Sequence, residues 1–91
     1  MEQIDDVDCI LFVVDGKKGL GSGDRYILEV LKRVETPVIL VINKIDQLTK
    51  EMLIYTINEY KDLYPFADIV PVSAFTNDNT DRLIEVIKKY L

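Results

Sequence analysis

An amide, an ammonium and a carboxylate follow one apolar run closely, at Asn43, Lys44 and Asp46. The run before them, Val38 to Ile42, contains only Val, Ile and Leu, which is typical of a parallel strand buried on both faces. An ionised carboxylate only accepts hydrogen bonds, an ammonium only donates them, and an amide does both. These three groups at one strand end predict a site that recognises a polar ligand.

Three strand-length apolar runs must position this cluster, and helical patterns follow each of them. The runs are Cys9 to Val14, Val38 to Ile42 and Ile69 to Val72. The resulting order, β-α-β-α-β-α, predicts an α/β fold with a parallel sheet and right-handed crossovers. Three strands are few for a doubly wound sheet, so we expect a partial sheet of this type, in three layers.

Each predicted helix should begin at a capping residue and bury an apolar stripe. The expected caps, in chain order, are Ser22, Thr49, and Thr80 or Asn79. The expected inward-facing residues are Ile27, Leu31 and Val34 in the first helix, Leu53, Ile57 and Tyr60 or Tyr64 in the second, and Leu83, Ile84, Ile87 and Leu91 in the third.

Polar residues end all three strands, and the carboxyl ends of parallel strands meet at one rim, where open α/β sheets bind ligands. Asp15-Gly16 ends the first strand, the 43–46 cluster the second and Ser73-Ala74 the third. Strand-to-helix loops are usually polar in any case, and an ordinary turn is the favoured interpretation of Asp15-Gly16. The convergence of the clusters is therefore the stronger indication of a site.

The Asp46 carboxylate would be satisfied by two adjacent N–H donors on a planar ring. Guanine presents such a pair at N1 and the 2-amino group, whereas adenine does not, and sites of this kind reject the unpaired analogue by roughly 10⁴ or more. Asn43 has a donor and an acceptor for another edge of the ring or for tying the loops together. The Lys44 stem could lie over a purine face, and the Ser73-Ala74 turn could present an N–H to a carbonyl of the base.

The segment NKID after an apolar strand, with PVSA at the end of the next, resembles the guanine-specificity motifs of P-loop GTPases. The wider segments DVDCILFVVDG, TPVILVINKIDQL and LYPFADIVPVSAF are similar to the second half of the G domain of Era-like GTPases. The resemblance covers essentially the whole chain. It implies that residues 1–91 form a partial G domain.

The resemblance also implies a role for each matching residue. Asp46 would read N1 and the 2-amino group of guanine, and Asn43 would contact the N7 and 6-keto side and brace the pocket. Lys44 would cover the ring. Ala74 would offer its backbone N–H to the 6-keto oxygen, with Ser73 shaping that turn.

Full-length members of the Era-like family hydrolyse GTP and bind small-subunit (16S-type) ribosomal RNA through a separate KH domain during ribosome assembly. The resemblance therefore implies GTP or GDP as the ligand, with Mg²⁺ held only together with an N-terminal half that carries the phosphate loop. It also implies a cytoplasmic protein, with membrane association a further option for the full-length form.

The phosphate-binding motifs of a GTPase do not occur in this sequence. Gly16 and Gly21 have the spacing of a G-x-x-x-x-G-K-[ST] loop, but Ser22 and Gly23 stand where lysine and Ser/Thr are required. No aspartate has a glycine three residues later. We therefore expect a truncated G domain without phosphate loop or KH domain, which does not hydrolyse GTP and binds guanine nucleotides weakly if at all.

Composition excludes several classes of site and partner. A single cysteine and no histidine exclude a disulfide within the chain and a Cys/His metal site. The net charge of −5 argues against nucleic acid as a partner of this chain by itself. The apolar runs are shorter than a membrane span.

Two other interpretations of the chain's function remain open. The chain could be a structural or interaction fragment without nucleotide binding. It could instead be a receiver-type phosphoacceptor module using Asp15, Lys44 and Ser73, although the order of lysine and hydroxyl is inverted. For the truncated G domain, the natural neighbour of the apolar first strand would be missing, which predicts self-association through the exposed sheet edge.

Overall fold

Strands and helices alternate along the chain in the predicted order. The computed structural model describes residues 8–73, 76 and 79–91. The strands are β1 (Ile10–Asp15), β2 (Val38–Asn43) and β3 (Asp68–Pro71), and the helices are α1 (Ser22–Leu31), α2 (Lys50–Leu63) and α3 (Thr80–Lys88). A short 3-10 helix, Ile45–Gln47, lies between β2 and α2. The predicted α/β fold is confirmed.

The three strands form a parallel sheet in the order β1-β2-β3. Asp15 is paired with Asn43, and Ile42 with Pro71. The central strand β2 is the most buried, because neighbouring strands cover both its edges and helices cover both its faces. All three carboxyl ends therefore reach the same rim.

Helices cover both faces of the sheet, two on one face and one on the other. The fold therefore has the expected three layers. α1 and α2 pack on one face, where the buried cluster contains Phe12, Val14, Leu28, Val38, Leu40, Ile42, Tyr60 and Tyr64. α3 packs on the other face, where the cluster contains Ile39, Val41, Val70, Val72 and Val86. Alternate residues of β2 thus belong to different cores.

The helix caps agree with the sequence at two positions of three. Thr49 caps α2 by accepting a 3.2 Å hydrogen bond from the Met52 N–H. At α1 the cap is Gly21, not Ser22, because Gly21 has an extended backbone (φ −116°, ψ 172°) and Ser22 is already the first helical residue. The Asp24 carboxylate accepts the Gly21 N–H at 3.2 Å. At α3 the capping position belongs to Asn79, the second of the two expected residues, but its side chain makes no cap bond there and donates instead to the carbonyl of Pro71 at 2.8 Å.

In α1 and α3 the fully buried residue is not one of those predicted to face inward, and one predicted residue of each helix is exposed. Leu28 and Val86 are buried, whereas Ile27 and Ile84 are 42% and 51% exposed. Each of these helices carries adjacent apolar residues, and neighbouring positions on a helix point about 100° apart, so spacing does not decide which of them is buried. Leu91, also predicted to face inward, lies beyond the end of α3 and is exposed.

The remaining predicted inward residues are at least partly buried. In α2, Tyr60 and the following Tyr64 belong to the core, and Leu53 and Ile57 pack against it. Leu31 packs against the same core and Leu83 against the other. Val34 and Ile87 are half-buried.

The edge strand β1 has one covered face and one open face. Phe12 and Val14 are buried beneath the α1 and α2 side, whereas Leu11 and Val13, on the opposite face, are 41% and 59% exposed. The sequence expectation of an apolar edge strand is therefore confirmed. Among the described residues, no helix is long and apolar enough to cross a membrane.

Candidate functional site

The ends of β1 and β2 are joined closely at the rim. The Gly16 N–H donates to the carbonyl of Asn43 at 2.9 Å, which extends the parallel ladder by one residue. A Cβ at Gly16 would lie 2.9 Å from side-chain carbons of Ile42 and Leu48 and 3.0 Å from the Asn43 carbonyl oxygen. This close approach favours glycine at position 16, since a larger residue would force neighbouring atoms to shift.

The backbone turns sharply at Lys44, directly after β2. Lys44 has a left-handed backbone conformation with φ 68°, which a non-glycine residue rarely adopts. The Asn43 Oδ1 accepts the Lys44 N–H at 2.8 Å and holds this turn. Asn43 therefore braces the loop from within, which agrees with one of its two predicted roles.

The Lys44 ammonium forms an ion pair with Asp15 across the rim, with 2.8 Å between Nζ and Oδ2. The other oxygen, Oδ1, accepts the backbone N–H of Lys17 at 2.9 Å and that of Lys18 at 3.4 Å. The hydrogen bond from Lys44, followed by these backbone N–H groups, outweighs partial burial and lowers the pKa of Asp15 below its ordinary value. Asp15 is therefore an oriented, ionised carboxylate.

The carboxylate of Asp46 is held from the end of β3. The Ser73 hydroxyl donates to Asp46 Oδ1 at 2.7 Å and accepts the Thr76 N–H at 3.2 Å. Ser73 is fully buried, whereas Asp46 is exposed. One oxygen of Asp46 is thus fixed by the protein while the carboxylate faces outward.

Backbone contacts tie the two loops of this pair together. The Ile45 N–H donates to the carbonyl of Val72 at 3.2 Å, and the Val72 N–H donates to the carbonyl of Ile42 at 2.7 Å. The turn that carries Asp46 is therefore hydrogen-bonded to the segment after β3 that carries Ser73.

The structure brings Asn43, Lys44, Asp46 and Ser73 together at the rim, as the sequence predicts. Ala74 lies outside the described residues, so its expected backbone contact stays a prediction. Asp15, which the sequence analysis favours as an ordinary turn residue, takes part in the cluster. The sequence places Asp15 at the end of the first strand, on the same rim, but its pairing with Lys44 depends on the strand register.

Those predicted site residues that the structure describes lie on the rim of the sheet. A groove of about 320 Å³ lies next to it, between the loop after β1 and helix α2, but Gly16, Met52 and Tyr55 are among its lining residues and none of the predicted ones is. An oriented acceptor carboxylate and an immobilised lysine stem on a rim suit recognition of a planar, N–H-bearing group. The carboxylate and the lysine stem are both groups that bind a ligand.

Comparison with known proteins identifies similar chains over the whole length. The model of the family "Elongation factor Tu GTP binding domain" matches residues 1–91. GTPase Era of Clostridioides difficile is 53% identical over 91 residues, which are 99% of this chain and 31% of that protein. GTPase Era of Clostridium kluyveri is 43% identical over 88 residues, 97% of this chain and 30% of that protein. The chain thus spans about a third of the length of these relatives.

Solved structures of Era match the fold closely. Era in complex with MgGDPNP and nucleotides 1506–1542 of 16S ribosomal RNA has a TM-score of 0.85 at 37% identity, and the match covers 96% of this chain and 30% of that one. A variant of Aquifex aeolicus Era bound to GDP·AlF₄⁻ has a TM-score of 0.84, again at 37% identity and with the same coverage.

Proposed function

Because this chain belongs to the elongation factor Tu GTP-binding domain family and corresponds to the C-terminal half of an Era-like G domain, we propose that its rim recognises the base of a guanine nucleotide. The observation that carries the proposal is the 2.7 Å hydrogen bond from Ser73 to Asp46. It orients a carboxylate whose exposed side suits the two adjacent N–H donors of guanine.

Each of the other predicted residues has a part in this proposal. Lys44 covers one face of the ring with its aliphatic stem, because its ammonium is held by Asp15 at the other side of the rim. Asn43 braces the loop through its bond to the Lys44 N–H and reaches the N7 and 6-keto side. Ala74 donates its backbone N–H to the 6-keto oxygen.

The activity of the whole protein is part of the same proposal. We infer that the full-length protein hydrolyses GTP and contacts small-subunit ribosomal RNA, supported by the similarity to Era, one structure of which holds MgGDPNP and 16S ribosomal RNA. Phosphate and Mg²⁺ contacts require sequence motifs that residues 1–91 do not contain. With its net charge of −5, this chain is a poor source of RNA contacts, which we assign to other parts of the protein.

A change of base preference tests the proposal. In the protein at its natural length, Asp46→Asn replaces one acceptor with a donor and should shift preference from guanine toward xanthine nucleotides, whose 2-position carries a carbonyl. Calorimetric titration with GDP and XDP measures this ratio. Asp62→Asn, the same change at an exposed position in the last turn of α2, is the control. An unchanged preference for GDP in Asp46→Asn would show that Asp46 does not read the base.

We also propose that residues 1–91 by themselves associate through the open face of β1. The exposure of Leu11 and Val13 on an edge strand supports this second interaction.

A further inference from the structure

We propose that Asp15 is a positioning residue of the base site, which anchors the Lys44 ammonium so that the lysine stem is already laid out along the rim before a base arrives. This inference rests on the proposed guanine recognition and adds a residue that the base-reading motifs do not include. Asp15 acts through Lys44 and need not touch the nucleotide.

Asp15 is itself held firmly enough to serve as an anchor. Its backbone ends β1 in register with Asn43, and the next residue, Gly16, continues the ladder at 2.9 Å. Its Oδ1 accepts the Lys17 N–H at 2.9 Å, which leaves Oδ2 directed to the Lys44 ammonium. The side chain is only 22% exposed.

Lys44 is fixed at both ends. At the backbone end, its left-handed conformation is held by the 2.8 Å bond from its N–H to Asn43 Oδ1. At the side-chain end, the ammonium lies 2.8 Å from Asp15 Oδ2. The Lys44 side chain as a whole is 46% exposed, so the anchored lysine is not buried beneath the loops of the rim.

Anchoring removes an entropic penalty that an untethered lysine would incur on binding. A free lysine stem samples many rotamers, and immobilising such a side chain in a complex opposes binding. Losing the anchor should therefore weaken nucleotide binding by about three- to tenfold.

The same physics predicts which nucleotides are affected. Contact of the stem with a ring face depends little on the groups at the ring edge, whereas Asp46 reads the edge. Asp15→Asn should therefore weaken binding of GDP and of inosine diphosphate, which lacks the 2-amino group, by the same factor. The ratio of the two affinities should remain that of the unsubstituted protein.

The experiment is a double-substitution cycle in the protein at its natural length, with GDP and inosine diphosphate as probes. The variants are Asp15→Asn, Lys44→Met, which keeps an apolar stem without the ammonium, and the combination of the two. Asp62→Asn, in the last turn of α2, is the control for removal of one negative charge. Dissociation constants are measured by titration calorimetry.

We expect Asp15→Asn to weaken binding of both probes equally. It should have no further effect once Lys44→Met is present, because both substitutions remove the same contact, the ion pair between Asp15 and Lys44. The inference is overturned if Asp15→Asn binds as tightly as Asp62→Asn, if it alters the ratio of the two probes, or if its effect is the same with and without Lys44→Met. Absence of any GDP preference in the unsubstituted protein would instead contradict guanine recognition itself.

Discussion

Ser73 donates a 2.7 Å hydrogen bond to Asp46 from the end of a different strand. The donor is fully buried and the acceptor exposed, so the bond attaches an outward-facing carboxylate to a buried hydroxyl. The proposed guanine selectivity of the rim depends on this relation.

Replacing Ser73 with alanine should reduce that selectivity. Without its donor, Asp46 can rotate, and the loss of about 1–1.5 kcal/mol should lower the preference for GDP over inosine diphosphate by roughly tenfold. Competitive nucleotide titration measures the ratio. The matched control is Ser22→Ala, at the exposed first position of α1. Equal ratios in the two variants would show that Ser73 does not orient the reading group.

The ionisation of Asp15 should report its contact with Lys44. The Lys44 hydrogen bond and the N–H groups of Lys17 and Lys18 place the folded-state pKa of Asp15 below 3.8. The ionised Asp15 carboxylate therefore stabilises the folded state fully at pH values above 3.8. This stabilisation is lost as the pH falls through the lower pKa that Asp15 has in the folded state. Carboxyl ¹³C shifts followed by NMR should show a midpoint below 3.8, which rises in Lys44→Met. A midpoint that is unchanged in Lys44→Met would contradict the contact.

Two glycine-to-alanine substitutions should affect stability in opposite directions. At Gly16 the new Cβ would approach the Asn43 carbonyl and the Ile42 side chain within 3.0 Å, so we expect destabilisation by about 1–3 kcal/mol. At Gly23, in the first turn of α1, a Cβ meets nothing within 4 Å. Alanine there should stabilise the protein by about 0.5–1 kcal/mol. Urea unfolding measures both, and destabilisation at Gly23 would contradict the open space seen there.

Self-association of residues 1–91 should depend on the open face of β1. Val13→Lys places a charge on the edge strand, where the valine is 59% exposed, and should shift a concentrated sample toward monomer. Ile54→Lys, at a 52% exposed position of α2, is the matched control. Sedimentation velocity measures both. A monomeric unsubstituted chain, or an equal effect of the two lysines, would contradict association through β1.

Most of the fold and of the rim could be predicted from sequence because topology imposes both. Uninterrupted Val and Ile runs alternating with helical patterns require a parallel sheet, and a parallel sheet brings the residues that follow its strands to one edge. Asn43, Asp46 and Ser73 could therefore be placed together without coordinates.

The remaining details depend on packing, which the pattern leaves open. Ile27 and Leu28 are adjacent and both apolar, so spacing alone does not decide which one faces the sheet. The Asp15–Lys44 pair depends on strand register and on the direction of a long side chain, since Asp15 is paired with Asn43 in the ladder. The sequence pattern determines neither the strand register nor the direction of the lysine side chain.

Both side-chain pairs at the rim join distant parts of the chain: Asp15 and Lys44 are 29 positions apart, and Asp46 and Ser73 are 27 apart. A whole helix lies inside each of these loops, so neither pair can form until strands separated by that helix have met. A nucleotide bound at the rim would therefore favour the fully assembled sheet over partly unfolded forms. Amide hydrogen exchange in β2 should slow as nucleotide concentration rises, because opening of that strand requires the ligand to leave.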